Sequence, residues 1–120
     1  SERRVEVKSS RLTWNSHKRC WVLVFSSIKF DHHDDLRLVV YLPWGIELWE
    51  YDGDGTTYIC TTGKSTETHG KSFQMVGQVG VSCIEEAWGK HIRGKMKKNC
   101  KCVIVLSWEV LKARGLLECA

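Results

Sequence analysis

A carboxylate and an ammonium group stand two residues apart near the start of the chain, in the stretch VEVKSS at residues 5–10. Valines alternate with charged residues here, which is the period of a half-buried strand, so Glu6 and Lys8 are expected to point the same way. In most proteins such a pair is a surface ion pair worth little. The alternative is a reaction in which a carboxylate holds a cation and an ammonium group steadies water and developing negative charge.

The elements that must position this pair follow from the hydrophobic pattern. CWVLVFSSI predicts a second, more buried strand that forms a hairpin with the first, and LRLVVYL predicts a central strand. IELWEY predicts its partner across a turn at Pro43–Gly45, and TYICT and FQMVGQV predict further short strands. A capping box at Ser82 and Glu85 predicts a helix to about residue 96, with Trp88 and Ile92 on its apolar stripe. The tail predicts a buried strand, CVIVLSW, and then a helix that ends near Gly115.

Length and composition favour one soluble globular domain over residues 1–120. The apolar fraction is 42% and the charged fraction 27%, and no apolar run reaches the ~18 residues that cross a bilayer, so we expect no membrane partner. The six cysteines are scattered through a chain able to build its own core, which favours an intracellular, reducing compartment such as nucleus or cytoplasm. The net charge is +5 over residues 1–29, −6 over residues 30–61 and +5 over residues 62–101. Two basic segments therefore flank an acidic one, and basic segments of this kind suit a polyanion such as DNA or RNA.

Other motifs have simpler interpretations. The two GKS triplets lack the glycine that a phosphate-binding loop needs five residues earlier, and a polar loop is expected at residues 62–72. DGDGT lacks the later ligands of a calcium loop, and His32 and His33 are adjacent, so they point apart on an extended chain. Cys100 and Cys102 have no second pair with which to hold zinc.

The stretch RRVEVKSS resembles the ExK half-motif of the PD-(D/E)XK nuclease superfamily, which has the restriction-endonuclease-like fold. DDLRLVVYLPWGIELWEYD is similar to the outer strand and hairpin that follow this motif in many members. The resemblance implies an α/β (α+β) fold with a mixed central β-sheet flanked by helices. It also implies a metal-dependent endonuclease that hydrolyses DNA phosphodiester bonds with Mg²⁺ or Mn²⁺.

By this resemblance Glu6 and Lys8 are catalytic: Glu6 ligates the metal together with the carbonyl of Val7, and Lys8 orients or activates the water. Basic residues expected to contact phosphates are Arg3, Arg4, Arg11, Lys18, Arg19, Lys64 and Lys71.

One part of the family pattern is missing. The family also uses an aspartate upstream of the ExK, and none of the five residues before Glu6 is an aspartate. We therefore expect the chain to be the C-terminal part of a longer nuclease, or to take the ligand from another chain, with a homodimer left open. The alternative function is a non-catalytic nucleic-acid-binding or assembly subunit with a degenerate nuclease fold. A third is an interaction module that uses some of the six tryptophans.

Overall fold

The computed structural model describes residues 3–28, 34–52 and 71–116, which form an α+β fold with few helices. The strands are β1 Val5–Arg11, β2 Thr13–Asn15, β3 Cys20–Ile28, β4 Asp35–Leu42, β5 Gly45–Tyr51, β6 Lys71–Val76 and β7 Cys100–Ser107. The helices are α1 Ile84–Glu86, a π-helical segment Ala87–Ile92, α2 Arg93–Met96 and α3 Trp108–Ala113. The predicted strand TYICT, the DGDGT turn, both adjacent histidines and most of the predicted loop lie outside the described residues.

Four strands form a mixed sheet in the order β1-β4-β5-β7. β1 pairs with β4 in parallel, with Glu6 opposite Leu36 and Lys8 opposite Leu38, whereas the β4–β5 and β5–β7 pairs are antiparallel. The expectation of a central strand at β4 is confirmed, as is the tight turn that joins it to β5. Gly45 follows that turn because β7 passes close to it: a Cβ atom there would lie 2.1 Å from the carbonyl oxygen of Leu106.

A second, antiparallel sheet has the order β2-β3-β6. The predicted hairpin is therefore correct for β2 and β3, which are joined by a turn at residues 16–19, but wrong for β1. The chain leaves the ladder around Leu12, which is buried, and this break lets β1 pair with β4 instead.

The core lies between the two sheets and the helical run at residues 84–96. Leu38, Val40 and Trp49 contribute from the inner face of the mixed sheet, and Phe25 and Phe73 from the second sheet. All five side chains are almost completely buried, so the sheets share a single apolar cluster.

The predicted helix is present, but its start differs from the capping-box prediction. Cys83 is the N-cap residue and makes no side-chain cap hydrogen bond, while Glu85 accepts a bond from Cys83 Sγ at 3.2 Å. The π-helical segment then makes wider turns. Trp88, Ile92 and Met96 recur at intervals of four residues and are all buried, so one side of the helical run packs against the core.

The tail forms the predicted strand and helix. Ser107 Oγ accepts from the Val110 backbone N–H at 3.1 Å, and Gly115 ends α3 with φ +71°. β7 is nevertheless less buried than its sequence suggests, since Val103, Ile104 and Val105 are exposed. It lies at one side of the mixed sheet, where only β5 pairs with it among the described strands.

Candidate functional site

Glu6 and Lys8 lie side by side on β1, as the sequence predicts. Lys8 Nζ is 3.3 Å from Glu6 Oε1. The Lys8 side chain is 28% exposed and the Glu6 side chain is 42% exposed. Their strand partners, Leu36 and Leu38, are buried, so the pair lies on the inner face of the mixed sheet where that face meets solvent.

The valines between these charges do not occupy the inner face. Val5 is 51% exposed and Val7 is 58% exposed, so the interpretation of the valines as the anchoring side of a half-buried strand is wrong. The parallel register with β4 decides the matter, because it places Glu6 and Lys8 beside the leucines of β4 and leaves the valines on the outer face.

Arg3 and Arg4 join the start of β1 to the start of β4. Arg3 Nε and Nη2 each donate to the Asp35 carboxylate at 2.7 Å, and this hydrogen bond raises the pKa of Arg3. Arg4 donates its backbone N–H to Asp34 Oδ2 at 2.8 Å and brings its guanidinium within 3.8 Å of that oxygen. The two predicted phosphate contacts thus have carboxylate partners.

A polar cleft of about 280 Å³ opens at this end of the sheet. Its lining residues are Arg3, Asp35, Leu36, Arg37, Glu50 and Tyr51. Arg37 Nη1 is 3.4 Å from Glu50 Oε1, while Arg37 Nε is buried without a hydrogen-bond partner among the described residues. Arg37 is the strand partner of Val7 and of Glu50, so these two charged lining residues are on the outer face of the mixed sheet, opposite the face that carries Glu6 and Lys8.

The other predicted phosphate contacts are not gathered at this site. Arg11 is exposed at the end of β1, opposite Tyr41. Lys18 and Arg19 are exposed in the β2–β3 turn, where Arg19 has φ +57°. Lys64 lies outside the described residues, and Lys71 begins β6 with its side chain also outside the description.

A metal at this site would have an incomplete set of protein ligands in the part of the chain that the structure describes. No three histidine, cysteine, aspartate or glutamate side chains there come together as a metal site. Glu6 supplies one carboxylate of the kind that Mg²⁺ prefers.

Glu47 is a buried carboxylate that the sequence analysis did not identify as important. It is 4% exposed and accepts from Trp88 Nε1 at 3.0 Å and from Arg93 Nε at 2.9 Å. Cys102 Sγ lies 3.7 Å from Glu47 Oε1, and Arg93 also stacks 5.1 Å from the ring centre of Trp49. These contacts hold the helical run at residues 84–96 against the inner face of the mixed sheet.

The charges in this cluster affect one another. Burial disfavours the charged form of Arg93, but the hydrogen bond and charge of Glu47 outweigh it and raise the pKa of Arg93. Burial also raises the pKa of the Cys102 thiol, and Glu47 adds to that effect. A paired, hydrogen-bonded buried carboxylate of this kind is typical of a structural ion pair.

A sequence signal for this cluster did exist. Glu47 shares a strand face with Trp49, which is the pattern of a carboxylate at a core position. Its partners could not be inferred, because Trp88 and Arg93 are five residues apart and reach one carboxylate through the π-helical segment.

Comparison with protein-family models, with curated proteins and with solved structures found no match to this chain. None of the described helices has the length and apolar character needed to cross a membrane.

Proposed function

We propose that this chain carries the ExK part of a metal-dependent endonuclease site that hydrolyses DNA phosphodiester bonds. The observation that carries the proposal is the pairing of Glu6 with Lys8 at 3.3 Å, with both side chains partly buried on the inner face of β1. A carboxylate and an ammonium held together suit a reaction that needs both a cation ligand and a positive charge near the attacked phosphate.

In this proposal Glu6 would hold Mg²⁺ or Mn²⁺ together with the Val7 carbonyl, and the bound metal would supply Lewis-acid activation of the phosphate and of the attacking water. Lys8 would orient the water and balance negative charge. The remaining carboxylate comes from outside the described residues or from a partner chain.

The β1–β4 pairing departs from the resemblance in one respect. The ExK strand pairs in parallel with β4, which lies between β1 and β5 among the described strands and is therefore not the outer strand that the resemblance implies. The restriction-endonuclease-like core is part of the proposal, with the mixed sheet of β1, β4, β5 and β7 as its central sheet.

The test is cleavage of plasmid and single-stranded DNA by the full natural chain, in Mg²⁺ and in EDTA. We expect Mg²⁺-dependent nicking, and Glu6→Gln or Lys8→Gln should reduce it by about a hundredfold or more. Glu50→Gln is the matched control, because the Glu50 side chain is also 42% exposed and is also in an ion pair within the mixed sheet. Equal cleavage by Glu6→Gln and Glu50→Gln would refute the assignment.

A non-catalytic nucleic-acid-binding subunit is the second candidate. It is favoured by the incomplete ligand set among the described residues. DNA binding that weakens with salt, needs no Mg²⁺ and leads to no cleavage would establish this candidate and refute the nuclease.

A further inference from the structure

The helical run at residues 84–96 continues into a strongly basic stretch of chain. Residues 87–108 contain six lysine and arginine residues and no aspartate or glutamate. Such a stretch is usually a solvated surface, but the basic side chains in this one have two different environments.

The basic residues that face the protein are already used. Arg93 donates to the buried Glu47, and Lys95 Nζ donates to the backbone carbonyl of Val76 on β6. Both side chains therefore hold the helix in place and are unavailable to a ligand.

The opposite side of the helix is different. We name it the basic face and define it as Lys90 and Gly94 of the helical run together with Lys97 and Lys98, which directly follow α2; all four residues are exposed. Lys90 has only a surface pair with Glu86 at 3.8 Å, and no carboxylate of the described residues is within ion-pairing distance of Lys97 or Lys98.

Lysines near a helix C-terminus have an ordinary explanation, since they interact favourably with the helix dipole. That explanation does not account for Gly94. Glycine inside a helix costs about 1 kcal/mol relative to alanine, and it is commonly retained where another backbone packs closely. A Cβ atom on Gly94 would meet no atom of a neighbouring element within 4 Å, as is also true of Gly89 in the same helical run, so packing among the described residues does not explain this glycine.

We propose that the basic face is a second nucleic-acid-binding surface, with Gly94 leaving room for a sugar–phosphate backbone between the lysines. Lys90 lies in the π-helical segment, and Lys97 and Lys98 lie in the turn that follows α2, so the three lysines are close along the chain. This surface lies apart from the ExK strand, so it positions DNA and does not react with it. This inference depends on the proposed nuclease function in one respect, which is that the nuclease function identifies the bound polyanion as DNA.

Nucleic acid fits this face better than a lipid surface does. Helices that lie in a membrane interface bury apolar side chains below their basic ones. None of the exposed large apolar side chains among the described residues lies on this helix.

The experiment measures binding of the full natural chain to a labelled 20-base-pair duplex by fluorescence anisotropy, in EDTA and over a range of salt concentrations. Lys97→Gln/Lys98→Gln is compared with Lys112→Gln/Arg114→Gln, which removes the same two charges from exposed positions in and just after α3. We expect the first variant to bind about tenfold more weakly, with the slope of log K against log salt smaller by about 2. The control should bind within about twofold of wild type.

Gly94→Gln tests the role of the open space separately. If the glycine has no function, the substitution should stabilise the helix and leave binding unchanged. We expect thermal unfolding at the same or a higher temperature, together with binding that is weaker by about threefold or more.

Three outcomes would overturn the proposal. Equal loss of binding in the two double variants would mean that net charge alone matters, and unchanged binding in Lys97→Gln/Lys98→Gln would place the DNA elsewhere. Binding of phosphatidylserine vesicles as tight as duplex binding, with the same dependence on Lys97 and Lys98, would assign the face to lipid. Cleavage distinguishes the two proposals: a chain that binds DNA through the basic face but never cuts it refutes only the nuclease.

Discussion

Two carboxylates on the inner face of the mixed sheet have opposite environments. Glu6 is partly exposed and pairs with Lys8, whereas Glu47 is buried and accepts from Arg93 and Trp88. A side chain that is accessible and has one partly exposed partner can exchange that partner for a ligand. Glu47 cannot do so without leaving Arg93 unpaired, so chemistry is proposed at Glu6 and a structural role is assigned to Glu47.

Cys100 makes a pH-dependent contribution to stability. Burial, with a smaller effect from the charge of Asp52, raises the pKa of its thiol from 9.0 to about 12. The unfolded chain ionises this thiol near pH 9, so the stabilisation is fully present below that pH and is lost as the pH rises from about 9 to about 12.

Between pH 8 and 10.5 we therefore expect wild type to lose about 2 kcal/mol more unfolding free energy than Cys100→Ala. Urea unfolding with a reducing agent at both pH values measures this difference. Parallel losses in the two proteins would show that the thiol is not protected from ionisation in the folded state.

At the scale of the element, β1 is a strand whose charged side faces inward. Glu6 and Lys8 lie beside buried leucines, while Val5 and Val7 face outward with Tyr41 of β4, which is also exposed. The alternation alone predicted that the two charges share a face, and the structure agrees. It could not predict which face is the inner one, because the register with β4 decides that and β4 lies some thirty residues away.

Because of this arrangement, substitutions on the two faces of the mixed sheet should differ in their effect on the free energy of unfolding. Val7→Thr should change the unfolding free energy by less than about 0.5 kcal/mol, because Val7 is 58% exposed. Leu38→Ala, at a completely buried position on the neighbouring strand, should cost about 2–5 kcal/mol. Urea unfolding of both variants is the measurement, and a cost for Val7→Thr close to that of Leu38→Ala would place Val7 in the core.

For the whole molecule, the two sheets and the helix share one apolar cluster. Phe25 of β3, Trp49 of β5 and Ile92 of the π-helical segment all belong to it and are essentially inaccessible to solvent. We expect one cooperative unfolding transition, with the same urea midpoint by tryptophan fluorescence and by far-UV circular dichroism.

Phe25→Leu should lower both midpoints together, although the substitution lies in the second sheet. Separate midpoints, or a shift in only one signal, would mean that the two sheets unfold as independent units. Val24→Thr is the matched control, because Val24 lies next to Phe25 on β3 and its side chain is exposed.

Most local structure was determined by the sequence itself. Alternating and apolar runs predicted β3 to β7, Pro43 and Gly45 predicted the β4–β5 turn, and Gly115 predicted the end of α3. These features depend on backbone preferences and on neighbours close in the chain, which a single sequence displays. The shared face of Glu6 and Lys8 follows from the same signals, whereas the α+β class was implied by the family resemblance.

Only the tertiary structure decided how the elements combine. It paired β1 with β4 in parallel, turned the valines of β1 to the outer face, and brought Trp88 and Arg93 to Glu47. It also divided the basic residues of the helical run and of the turn after it into two groups. Arg93 and Lys95 bond to the rest of the protein, whereas Lys90, Lys97 and Lys98 belong to the basic face. Each of these outcomes depends on contacts between residues distant in sequence, whose energies appear only once the register and packing of the strands and helix are established.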